Sequence, residues 1–306
     1  MTHIIKPLLS VLIPVYNHER YVEECIRSIW DQHFPQIEII AIDDGSTDNS
    51  YSILERLKLE SPIPMYIERQ CNQGVVKTAN KALKLSQGDY ILCMASDDKL
   101  LEGALIPALN TINLNNIKFA IFNAMYFGDI NKPVLNDVLR FFVSTNDVNI
   151  LERLYLFPPR PLLLQSTIIS REFFYSIGGW NEKVTLDDWP VFIRFFESVC
   201  SNKILWSCSQ NIFLTGYRIH ECNVHKDVVR QIVLTEEVIN HYCPEHLKYL
   251  ALTNTYVTYS LSLLRRRNLF GLKMLFKAVK ISGVILVVKS IFDQVWDYFK
   301  KQSNNC

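Results

Sequence analysis

The chain has 306 residues, of which 49% are apolar, 12% aromatic and 21% charged. That content excludes wholesale disorder, collagen-like repeats and a linker-rich architecture, and it allows one large domain or two modest ones. The formal net charge of +1 gives no whole-chain case for nucleic-acid binding, but it conceals an asymmetry. Arg265–Cys306 holds nine Lys/Arg against two Asp, a net of +7, while the first 264 residues hold 23 basic and 29 acidic residues, a net of −6.

In chain order, the apolar N-terminus is interrupted by Pro7 and Pro14 and followed by no small-residue cleavage site, so it reads as a buried strand rather than a secretory leader. The spacing predicts strands at Leu8–Pro14, Ile37–Ile42, Ile63–Glu68, Tyr90–Met94 and Phe119–Met125. Helices at Glu19–Trp30, Ser50–Leu59, Val75–Leu85 and Leu101–Ile112 separate them. Short strands alternating with longer helices mean β-α-β units, a parallel sheet covered on both faces, and ligands beyond the carboxyl ends of its strands. From about residue 130 the alternation lapses. Phe157–Pro161 reads as a turn-rich connector, Leu162–Ile169 as a strand, Pro190–Val199 as a helix and Ile212–Tyr217 as a strand, with helices beyond about 225. This divides the chain into 1–125, 126–230 and 231–306, the last a helical, basic extension. The eight cysteines form no C-x-x-C pair, which fits reduced, small apolar residues and a cytoplasmic chain.

Polar segments follow successive strands: Val15-Tyr16-Asn17-His18, then Asp43-Asp44-Gly45-Ser46-Thr47-Asp48, then Ala95-Ser96-Asp97-Asp98. Carboxylates gathered at one sheet edge repel one another, so they need a divalent cation, a basic contact or donor groups of a ligand. Neither G-x-G-x-x-G nor G-x-x-x-x-G-K-[ST] occurs, which excludes an ordinary dinucleotide or P-loop site. Taken singly, each acidic segment also reads as a turn or helix cap.

The runs V-L-I-P-V-Y-N, I-I-A-I-D-D-G-S-T-D, N-Q-G-V-V-K-T-A-N-K-A-L, G-D-Y-I-L-C-M-A-S-D-D, G-G-W-N-E…D-D-W and Y-R-I-H-E-C-N resemble, in order and spacing over roughly residues 8–225, the family 2 inverting glycosyltransferases. The resemblance implies the GT-A fold, a Rossmann-like, mostly parallel sheet with helices on both faces, with 1–125 as its nucleotide-sugar-binding half, 126–230 as its acceptor-binding and catalytic half, and here a C-terminal helical extension. It also implies a nucleotide-sugar donor, usually a UDP-sugar, held with Mn²⁺ or Mg²⁺. Within it, Pro14 and Tyr16 line the nucleotide site, Asp43 accepts the uracil N3–H, Asp44 and Ser46 support that loop with Asp44 near the ribose, and Lys77 lies near base or diphosphate. Asp97 falls on the ribose or donor sugar, Asp98 and His220 on the metal, with His225 a weaker ligand. Asp188, with Asp187 beside it, falls on the general base. The family's usual pattern is D-x-D-D, and its first Asp is Ala95 here. Trp180 reads equally as an acceptor-stacking platform or as core. The implied acceptor is a glycan, polyprenyl-diphosphate-linked, in bacterial surface-polysaccharide (O-antigen or capsule) synthesis. A nucleotidyltransferase or a catalytically inactive nucleotide-sugar-binding protein of the same fold is the alternative.

In the tail, Arg265–Arg267 precedes an apolar stretch with Lys273, Lys277 and Lys280 at spacings of four and three, and with Trp296 and Tyr298. A basic amphipathic helix of this kind fits the surface of an anionic bilayer, the cytoplasmic face of the inner membrane, or else packs on the core or on a second copy of the chain.

Overall fold

A computed structural model describes residues 8–113, 117–128, 132–134, 147–156, 164–220 and 227–303. The predicted connector Phe157–Pro161, the start of the strand expected at Leu162, and His225 lie outside the described residues. The chain divides into two compact units, Met1–Asp147 with Arg160–Glu221, and Val148–Pro159 with Cys222–Cys306.

The first unit is built on one nine-stranded sheet. Its opening half is the expected β-α-β run: β1 (Leu9–Val15), α1 (Val22–Trp30), β2 (Ile37–Asp43), α2 (Ser50–Glu60), β3 (Met65–Arg69), α3 (Val75–Leu85) and β4 (Tyr90–Cys93). β1 pairs in parallel with β2 and β4, and β2 with β3. β1 is buried along nearly its whole length. That is why it is an unbroken apolar run rather than an alternating one, as strands covered on both faces are. α1 supplies cover with Val22, Cys25, Ile26 and Ile29, spaced to fall on one helical face.

Beyond β4 the path departs from the simple alternation. The acidic turn leads into β5 (Lys99–Leu100), a two-residue strand antiparallel to a later one, and only then into α4 (Leu105–Asn113). The turn therefore does not cap the helix expected at Leu101–Ile112, which starts at Leu105. β6 (Phe119–Gly128), with its partner β7 (Lys132–Val134), keeps the direction of β4 without touching it. Between them lies β8 (Thr167–Ser170), antiparallel to both and entered through a 3₁₀ turn at Leu164–Ser166. α6 (Arg171–Ser176) and α7 (Trp189–Asn202) follow, and then β9 (Trp206–Ile219), parallel to β6 with a register shift around Asn123. β9 is much longer than the predicted Ile212–Tyr217, because pairing with β6 recruits the polar stretch Ser207–Asn211 that no apolar pattern marks.

The second unit takes α5 (Asp147–Leu156), α8 (Val228–Tyr242), α9 (Glu245–Arg265) and α10 (Phe270–Ser303), the last broken by non-helical Gly283. Its core joins Val228, Ile232, Tyr256, Val257 and Leu263 to Met274, Ala278 and Val287. Asn254 ties it internally, donating to the Leu156 carbonyl at 3.0 Å and accepting from Ser290 at 2.8 Å. The side chains of Trp296 and Tyr298 lie outside those described.

Candidate functional site

Parallel pairing carries the ends of β1, β2 and β4 to one edge of the sheet. At the end of β2, Asp43 is fully buried. Its Oδ1 accepts the Ser46 N–H at 3.0 Å and lies 3.4 Å from Arg69 Nε, while its buried Oδ2 has no hydrogen-bond partner among the described residues. A buried carboxylate oxygen left unmatched is costly unless a ligand donor completes it. Pro14, paired with Ile42, and Tyr16, 47% exposed, lie on the neighbouring strand end.

Asp44 does different work. Its Oδ1 accepts from Gln70 Nε2 and from the Gln73 N–H, each at 2.9 Å, and its Oδ2 accepts the Gly74 N–H at 2.8 Å. Both oxygens shape the loop before α3, so Asp44 holds that loop in place. Ser46 accepts the Asn17 N–H at 2.9 Å and so locks the ends of β1 and β2 together. Lys77 is exposed in the first turn of α3.

The acidic turn after β4 splits its two carboxylates. Asp98 is 1% exposed. Its Oδ1 accepts the Arg218 N–H at 2.8 Å and its Oδ2 accepts from Gln165 Nε2 at 3.2 Å. Burial first, and the charge of Asp97 second, push its carboxyl well above the ordinary range. Asp97 is only half-buried, with Oδ2 2.9 Å from His220 Nε2. A carboxylate oxygen and an imidazole nitrogen held together are a donor set for Mn²⁺, and each Asp98 oxygen, accepting one hydrogen bond, keeps a second lone pair. Among the described residues no three His, Cys, Asp or Glu gather as a metal site. A cation here would therefore take most of its ligands from phosphate and water, as Mg²⁺ commonly does.

Residues that the sequence reading did not single out complete this edge. Arg218 lies over Phe127 at 4.3 Å and Tyr21 at 4.9 Å, donates from Nε to the Asp97 carbonyl at 2.8 Å, and ion-pairs with Glu24. His18 Nδ1 is 2.7 Å from Ser96 Oγ, and burial lowers its pKa. Arg69 is paired in register with Asp43, a signal available only once the β2–β3 register is known.

Asp187 and Asp188 open α7, with the Asp188 carboxylate accepting the Trp189 N–H. Asp187 acts electrostatically on Cys93 at the end of β4, and Asp97, Asp98 and Asp188 all act on Tyr217, whose pKa they raise after burial has done so. The base candidate and the acidic turn thus share one neighbourhood. Desolvation, then the charge of Asp187, push Asp188 up to about 7, and desolvation raises Asp187 too. The helix N-terminus alone would favour the ionised form, but burial outweighs it. Trp180 in the preceding loop is 2% exposed and packs edge-on against Phe174 at 4.6 Å, so it belongs to the core. Asn80 of α3 anchors this loop, accepting the Trp180 N–H and donating to its carbonyl, each at 2.9 Å.

Residues 10–156 match the family model described as Glycosyl transferase family 2. A putative teichuronic acid biosynthesis glycosyltransferase, TuaG of Bacillus subtilis (strain 168), is 42% identical over 96 residues, 31% of this chain and 37% of that protein. A GalNAc(5)-diNAcBac-PP-undecaprenol beta-1,3-glucosyltransferase of Campylobacter jejuni is 33% identical over 108 residues, 35% of each. The matches to such relatives span less than half of their length. In three dimensions the chain is similar to S. aureus TarS 1–349 in complex with UDP-GlcNAc, with a TM-score of 0.62, 18% identity, and coverage of 89% of this chain and 79% of that one. It is likewise similar to the mannosyltransferase PcManGT of Pyrobaculum calidifontis in complex with GDP-Man and Mn²⁺, with a TM-score of 0.60, 15% identity, and coverage of 98% and 83%. The fold is GT-A.

Proposed function

We propose that this chain, which resembles the family 2 glycosyltransferases of bacterial surface-polysaccharide synthesis and has the GT-A fold, transfers a sugar with inversion from a UDP-sugar to a hydroxyl of a glycan acceptor linked to a polyprenyl diphosphate. The observation that carries the donor is Asp43 Oδ2, buried and without a partner among the described residues. A ligand N–H satisfies it, and the uracil imide N–H is such a donor where cytosine N3 is not. Arg69 and Ser46 hold Asp43 in place, and Tyr16 supplies an exposed ring beside it for the base.

Asp97 and His220 would hold a divalent cation, which supplies positive charge for the leaving diphosphate. Asp98 keeps the turn in place through Arg218 and Gln165. Asp188 takes the proton of the acceptor hydroxyl as its oxygen bonds to the anomeric carbon on the side opposite the departing UDP. A base that titrates near neutral pH is matched to that task. The lipid-linked acceptor fits the undecaprenol-linked substrate in the name of the Campylobacter relative, and it would bring the enzyme to the cytoplasmic face of the inner membrane.

The test is thermal denaturation with UDP, GDP, dTDP or CMP, each with and without Mn²⁺. UDP with Mn²⁺ should raise the melting temperature most, since saturation at about 100 times Kd stabilises by about 2.7 kcal/mol. Equal stabilisation by GDP or CMP would sink the uridine assignment.

A further inference from the structure

One side of α10 is spoken for. Met274, Ala278 and Val287 pack into the core of the second unit, and Lys277 turns the same way, 2.7 Å from Glu236 and over the ring of Tyr256. Lys277 therefore does not share a solvent face with Lys273 and Lys280, as their spacing alone suggests. The other side is open and apolar: Phe276 is 70% exposed, Ile285 84% and Phe292 70%, and Leu269 just before the helix 74%. Lys273, Lys280 and Lys289 are exposed among them, after the exposed Arg265–Arg267, and Asp293 is the one acidic residue in the sequence from 265 to 294.

At Gly283 (φ 79°, ψ 167°) the helix breaks, and Val284, Ile285 and Leu286 are all exposed just after it. Successive helical residues turn by about 100°, so three in a row do not share one packed face. They leave this turn apolar around about half of its circumference. No helix among the described residues is long and apolar enough to cross a membrane.

We infer that this side of α10 seats on the surface of an anionic bilayer. Its apolar side chains would enter the boundary of the acyl region, and its lysines and arginines would meet the headgroups. A second copy of the chain fits less well, because a two-fold contact through this face sets Lys273, Lys280, Lys289 and the three arginines against their own images. The inference rests on the lipid-linked reading above for its purpose, but its test needs neither donor nor acceptor.

The full chain is sedimented with vesicles of phosphatidylcholine alone or with roughly one-third phosphatidylglycerol at low salt. Partition to the anionic vesicles should exceed that to the neutral ones at least about tenfold. Replacing Lys273, Lys280 and Lys289 by Gln should lower it by about fivefold for each, or about 100-fold together. Ile285→Ser with Phe292→Ser should also lower binding without moving the melting temperature, since both side chains are exposed. Unchanged binding in the triple variant would overturn the inference, as would a dimer in sedimentation velocity that Ile285→Ser with Phe292→Ser dissolves. If the wild type ignores anionic vesicles while UDP with Mn²⁺ still raises its melting temperature, the inference falls and the donor reading stands.

Discussion

Asp43 and Asp188 are the two carboxylates on which the proposed donor recognition and base catalysis turn, and their surroundings differ. Asp43 has one oxygen fixed and one waiting. Asp43→Asn keeps the shape but removes the charge that strengthens a hydrogen bond, a contribution of about 1.5–3 kcal/mol, so UDP affinity by titration calorimetry should fall roughly 10- to 150-fold. Asp188 is raised by burial and by Asp187 to about 7. A base must be ionised to act, so kcat/KM should rise with pH through about 7, level off above it, and fall about tenfold per pH unit below. Asp188→Asn should retain UDP binding, lose about 10²–10⁴-fold in transfer and flatten that limb. The same raised pKa means the native state holds a proton that the unfolded chain has released, so this group's contribution to stability declines as pH rises toward 7. In the acidic turn, Asp97→Ala and His220→Ala should each abolish the Mn²⁺-dependent part of the UDP thermal shift, whereas Asp98→Asn should keep it. Loss in Asp98→Asn with retention in Asp97→Ala would return the metal to Asp98.

Between elements, the critical link joins α3 to the loop that leads into α7. Asn80 satisfies both backbone groups of Trp180 and also donates to Glu182 at 3.0 Å. Asn80→Ala would leave buried peptide groups unmatched, a cost of about 1–3 kcal/mol in denaturant unfolding, and turnover should fall with it because Asp187 and Asp188 follow in the same loop. Unchanged stability and turnover would show that the loop is held elsewhere. This link was not legible in the sequence, although its ends were: α3 spans Val75–Leu85 as the spacing predicts. Periodicity reports what one segment buries, not which segment it faces. The same reason hid the place of β8 between β4 and β6, though a strand was expected at Leu162–Ile169, and β9's polar first half, which pairing rather than hydrophobicity holds in the sheet. Arg69 and Arg218 carry no spacing signal of their own. One is positioned by register with Asp43, the other by its backbone N–H on Asp98.

At the scale of the molecule, the charge asymmetry read at the outset has a structural counterpart. The acidic first unit carries the strand-end carboxylates, and the basic tail becomes α10, with its open apolar side. What the motifs made legible was the edge of the sheet where chemistry gathers, because residues at successive parallel strand ends must meet there whatever the packing behind them. What they did not show was how differently two adjacent carboxylates are buried, since that depends on which one the far strand β9 covers. The most direct measurement of the whole account is UDP or GDP release from a panel of UDP- and GDP-sugars, with Mn²⁺ and a polyprenyl-diphosphate-linked oligosaccharide, by wild type and by Asp188→Asn. The account predicts acceptor-dependent UDP release from a UDP-sugar, reduced about 10²–10⁴-fold in the variant. Release from a GDP-sugar alone, or equal turnover by the two proteins, would contradict it.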